Sequence, residues 1–194
     1  MNMIEELIII AGISLDVFAV MECQGSLVAK IEKKHLALMS VILVAGQVLA
    51  LGIGKFLSVL LHTYQISDYE IFLEEVLAVA IFFCMGMRLL LKAWKNERVI
   101  EHREEQFHMR EFIQLCGRNC TFTLLIGIAF GFLGSAMLRV LLMTVIATVV
   151  VTILGMYTGY RLGYEHKVKA YLGGGILLIA AGVDVIVGYL MNGR

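Results

Sequence analysis

The sequence predicts an all-α polytopic membrane protein of six transmembrane helices in an inverted three-plus-three repeat, and three observations carry that expectation. First, 60% of the 194 residues are hydrophobic and only 16% are charged, where ordinary soluble domains carry about a quarter; the mean hydropathy is +0.87. Second, apolar runs recur at about 5–28, 36–61, 71–93, 112–134, 138–162 and 169–190, and a bilayer-crossing helix takes about 20 mostly apolar residues. Third, Lys and Arg cluster in alternate connections between these runs, the asymmetry that sets orientation. Six spans use up the chain and leave no room for a soluble catalytic domain. The balance of 16 basic against 16 acidic residues argues against a nucleic-acid partner.

In chain order, the first run opens after Glu5 and Glu6, where a secretory signal would carry Lys or Arg, and no small-residue cleavage site follows. It is expected to stay as the first span. Lys30, Lys33 and Lys34 follow it, the connection from His62 to Glu70 carries only acid, and Lys95, Arg98, Arg103 and Arg110 follow the third run. Lys167 follows the fifth. The positive-inside rule therefore places the connections after spans one, three and five in the cytoplasm and both termini outside a cell membrane crossed many times.

The hydrophilic stretch KNERVIEHREEQFHMRE reads as a cytoplasmic linker, residues 95–111, between a first three-helix repeat, 1–94, and a second, 112–194. Gly86-Met-Arg88 matches Gly182-Val-Asp184, and Gly52 with Lys55 matches Gly155 with Thr158. An odd number of spans per repeat inverts the second half, an arrangement whose ion sites lie near the midplane at the repeat interface.

Asp16 stands midway along the first span, in IIIAGISLDVFAV, where an ionised carboxylate costs about 2.5 to 3.5 kcal/mol or more. It is either a hydrogen-bonded structural aspartate or a functional one, and intramembrane ionisable residues mark ion paths by default. Glu22, nearer the cytoplasmic end, is expected to face a vestibule or headgroups. Gln47, Asn119, Thr121 and Asp184 are further polar residues at membrane depth. Arg88 and Arg118 are close enough to helix ends to snorkel. Thr144, Thr148 and Thr152 share one helix face and read as interhelical glue, while Gly155, Gly159 and Gly163, and Gly127 with Gly131, mark close helix contacts.

Nothing in the sequence suggests an enzyme: it has no His-Glu-x-x-His, no Gly-x-Ser-x-Gly and no phosphate-cradling glycine loop. Glu105 and His108 occur once, in the linker, and read as a solvated face. Cys23, Cys84, Cys116 and Cys120 read as free thiols, with Cys116 and Cys120 one turn apart as small hydrophobes or as soft metal ligands.

The segment Gly12-Ile-Ser-Leu-Asp16-Val-Phe-Ala, with Gly86-Met-Arg88, Gly155-Met-Tyr-Thr-Gly159 and Leu172-Gly-Gly174 to Gly182, resembles the MntP-type manganese efflux pump family along nearly the whole chain. Gln47 looks like the glutamine of that family's Phe-Gly-x-Phe-Gln motif. The resemblance implies six helices in an inverted repeat and export of Mn2+ from the cytoplasm, with no cofactor beyond the transported ion, the lipid bilayer and the divalent metal ion as partners, and room for a homo-oligomer.

This chain departs from the family in span four, where a second Ser-x-Asp motif is expected: counting back from Gly155 puts its aspartate opposite Phe122. The proline after the span-two glutamine is also replaced, at about Leu51. The metal ligands expected are Asp16, Gln47, Asn119 and Thr121, with Glu22 or Asp184 supplying a second charge, since Mn2+ takes oxygen donors. The other reading is a non-transporting membrane scaffold or regulator derived from such a pump.

Overall fold

The structure is a computed structural model that describes residues 3–28, 33–64, 70–95, 109–163 and 166–191. Six helices follow in order: α1 (Met3–Leu27), α2 (Lys33–Tyr64), α3 (Glu70–Lys95), α4 (Met109–Phe132), α5 (Met137–Leu162) and α6 (Lys167–Met191). Each contains one of the six apolar runs, with ends within a few residues of those expected. Residues 96–108 of the expected linker, with Arg98 and Arg103, and Lys30 after the first span lie outside the described residues. The chain has no proline, so no helix interior lacks a backbone donor or meets a pyrrolidine ring.

Two helix ends depend on glycine. Gly134, at φ 62°, and Gly163, at φ 71°, take positive φ values that glycine adopts without a Cβ penalty, and each helix stops there while its last carbonyls stay paired. Ser135 N–H reaches the Phe130 carbonyl at 3.2 Å, and Gly163 N–H reaches that of Gly159 at 3.0 Å.

Burial is inverted relative to a soluble protein. Leu49, Ile53, Phe56 and Leu60 form an exposed row on α2, as do Leu138, Leu142, Ile146 and Val150 on α5, at the three- and four-residue spacings that share a helix face. Glu6, Asp16, Glu22, Gln47, Asn119, Thr144, Thr148 and Thr152 are buried instead. Lipid solvates the first set, and polar groups turned inward escape it. Five helices, α2 to α6, are long and apolar enough to cross a membrane. The remaining helix, α1, has 25 residues, about 37 Å at the α-helical rise, and packs against α5 and α6. The chain is a multi-pass, all-α membrane protein.

The principal helix pairs are α1·α5, α2·α4, α3·α6, α1·α6, α2·α5 and α3·α4. Replacing every helix by the one three positions away reproduces the same set. Glycines make the tightest approaches: Gly155 lies against the Phe18 carbonyl and Met21, Gly159 against the Glu22 carbonyl, and Gly54 against Leu124 and Gly127. Gly52 faces open space, and the α2 glycines that meet another helix are Gly46, against Cys120 on α4, and Gly54. A methyl group at Gly159 would fall on the Glu22 backbone, and overpacking of this kind costs about 1 to 3 kcal/mol. Gly159→Ala should therefore lower the temperature at which the detergent-solubilised protein loses monodispersity, while Gly52→Ala should leave it unchanged. Equal midpoints for the two variants would contradict this packing.

At the end where α1 and α5 both begin, Arg139 Nε donates to Glu6 Oε2 at 2.7 Å and Arg139 Nη2 donates to Oε1 at 3.0 Å. Glu6 is fully buried, and the two-pronged guanidinium satisfies both its oxygens.

Candidate functional site

Asp16 sits on α1 where that helix meets α5 and α6, and its side chain is only 5% exposed. Two cations from α3, one helical turn apart, reach it: Lys92 Nζ donates to Oδ1 at 2.8 Å, and Arg88 Nη1 stands 3.6 Å from Oδ2. The Arg88 guanidinium also lies over the Phe122 ring, 3.1 Å from its centroid, and Lys92 Nζ stands 5.0 Å from the centroid of Tyr171. The carboxylate is thus neutralised from within the protein, and Phe122, the residue set opposite the second aspartate expected from the sequence, is the platform for one of the neutralising groups.

Beside this cluster a cavity of about 570 Å³ opens between the ends of α1 and α3, the N-terminal half of α4 and the start of α6, lined by Arg88, Lys92, Lys95, Arg118, Asn119 and Lys167 with Phe122 and Tyr171. Asn119 is buried, and its Nδ2 has no hydrogen-bond partner.

A second polar seam joins α2 and α5. The Thr148 hydroxyl donates to Gln47 Oε1, both residues being buried, so Thr148 does act as interhelical glue. Thr144 and Thr152 are buried on the same face, with hydroxyls that make no hydrogen bond. Helices α1 and α5 run in parallel, Glu6 meeting Arg139 and Phe18 meeting Gly155. That register puts Thr152 at about the depth of Asp16.

The other expected ligands are dispersed. Glu22 is fully buried and accepts the His166 backbone N–H at 3.0 Å; it ties α1 to the start of α6 rather than facing headgroups. Thr121 is exposed and donates to the Gly117 carbonyl at 3.1 Å. Asp184 is exposed on α6. The Cys116 and Cys120 sulfurs lie 3.9 Å apart, and among the described residues no three His, Cys, Asp or Glu side chains gather where they could hold a metal ion. Sequence reasoning missed Lys92 as a partner of Asp16; its one sequence signal is the four-residue spacing from Arg88, which puts both cations on one face of α3.

Comparison with known proteins supplies the remaining observation. The family model described as "Putative manganese efflux pump" matches residues 30–186. Among the similar proteins, the "Putative manganese efflux pump MntP" of Acetivibrio thermocellus is 27% identical over 190 residues, covering 98% of this chain and 93% of that one. The protein of the same name from Mannheimia succiniciproducens is 24% identical over 182 residues, 94% of each. No solved structure matches.

Proposed function

Because the chain belongs to the manganese efflux pump family, we propose that it exports a divalent cation, Mn2+, from the cytoplasm, with Asp16 as the anchoring carboxylate. The observation that carries this reading is the Asp16 carboxylate buried on α1 and held by cationic side chains. Lys92 occupies the position a transported cation would take. Its long, flexible stem lets the ammonium swing into the open cavity as a metal arrives, so the carboxylate is neutralised in both states. Stripping one partner from a buried ion pair costs about 3 to 5 kcal/mol, which couples metal entry to Lys92 departure. Neutral oxygens of Gln47, Asn119 and Thr152 complete a donor set suited to Mn2+.

The two halves are read as an inverted repeat. The packing of Gly155 on Phe18 repeats in that of Gly54 on Leu124, and the approach of Gly86 to Ile179 repeats in that of Gly182 to Phe83. These pairings equate Asp16 with Phe122 and Gln47 with Thr148. The hydrogen bond between Gln47 and Thr148 then lies on the axis relating the halves, where transporters of this architecture bind their ions. By the positive-inside rule the cationic cavity faces the cytoplasm and both termini lie outside.

If Lys92 competes with the metal, Lys92→Gln should lower the Mn2+ concentration for half-maximal transport in reconstituted vesicles several-fold, since the metal would no longer displace a partly solvated ammonium while Arg88 still faces Asp16. The maximal rate should fall, because the empty carrier would have to reset with Asp16 less well neutralised. An unchanged half-saturation would remove Lys92 from the transport cycle.

A further inference from the structure

The cavity beside Asp16 is built of donors. Five cationic side chains line it, Arg88, Lys92, Lys95, Arg118 and Lys167, and among the described residues no carboxylate does. Two buried polar atoms on its wall make no hydrogen bond and both are donors: Asn119 Nδ2, and Arg88 Nη1, which faces Asp16 Oδ2 only at ion-pair distance, 3.6 Å. A row of cations serving only as topology markers would extend its heads outward to the phospholipid headgroups. Here Arg88 and Lys92 turn inward, and Asn119 is 95% buried, at 5% exposure. Stacking of the Arg88 guanidinium on Phe122 fixes its plane and leaves its edge for hydrogen bonds, the geometry that matches phosphate oxygens. Arg118 is exposed at the mouth on α4, next in sequence to Asn119. On this wall an oxyanion meets complementary charge and complementary donors.

We propose that this cavity binds an oxyanion of the phosphate class, with Arg118 receiving it at the mouth and Arg88 and Asn119 donating to its oxygens. The proposal concerns the cavity wall and stands independently of the transported ion. Its chemistry is shared by free phosphate and by a phospholipid headgroup.

The test uses the purified full-length protein, titrated with inorganic phosphate at ionic strength held constant with chloride, with thermal stability as the readout. Phosphate should stabilise the protein saturably, beyond the effect of chloride. Arg118→Gln should shift the half-saturating concentration at least tenfold, Arg118→Lys by less, and Asn119→Leu should also weaken binding, with helical content unchanged in each. Repeating the titration in phosphatidylcholine nanodiscs with and without phosphatidylglycerol separates the sources. Phosphate binding that persists in both identifies a free anion. Arg118-dependent stabilisation by phosphatidylglycerol that blocks or replaces the phosphate effect identifies a headgroup. The proposal is overturned if neither phosphate nor phosphatidylglycerol stabilises the protein beyond chloride, or if Arg118→Gln responds like the parent.

Discussion

Asp16→Asn is expected to reduce Mn2+ export to the level of vesicles without protein, while leaving membrane insertion at parental levels. Asparagine keeps the shape and removes the charge. At about 4 Å and an effective dielectric of 20, one unit of charge against another is worth about 4 kcal/mol, about a thousandfold in affinity, and a dication feels more. The variant should still assemble because the partners left behind have access to water: Lys92 and Arg88 side chains are 31% and 24% exposed and line an open cavity. Efflux of loaded Mn2+ per unit of inserted protein is the measurement. Export at the parental rate would remove Asp16 from the site.

Phe122→Asp should act in the opposite direction, raising Mn2+ export several-fold. Replacing a partly buried aromatic with a charge at membrane depth normally costs stability because the charge is left alone. Here the ring is covered by the Arg88 guanidinium, so a carboxylate would arrive beside a cation already in place. Arg88 could then move from Asp16 to the new acid, or a dication could be shared by both, and oxygen-rich sites of higher charge hold Mn2+ better. A well-inserted Phe122→Asp protein with no added efflux would mean that the second half of the site no longer takes part, and would favour a scaffold over a pump.

The spans were legible because lipid imposes its demand residue by residue: twenty apolar positions in a row can be read without knowing what packs on what. Asp16 was legible for the same reason, as an exception inside such a run. The partners of Asp16 were not. Lys92, near the end of an apolar helix, looks like an orientation marker, and its pairing with a residue 76 positions away is set by how α6 packs against both α1 and α3. The burial of Glu6 beneath Arg139, 133 residues on, left no local signal for the same reason. Glu22 shows the limit of reading depth from sequence: its position near the helix end suggested headgroups, but the start of α6 covers it.

The cationic face that α3 presents to α1 has a consequence for the resting state. In a carrier whose halves were chemically identical, the inward-open and outward-open forms would be exchanged by the two-fold rotation that swaps the halves and would be equal in energy. In the proposed repeat Asp16 has Phe122 as its counterpart, so this degeneracy would be lifted. If the halves exchange during transport as proposed, one form keeps the ion pair closed and the other must open it, and the unloaded protein would wait mostly on a single side of the membrane. With equal Mn2+ on both faces there would be no net flux, yet the binding-competent population would differ between them.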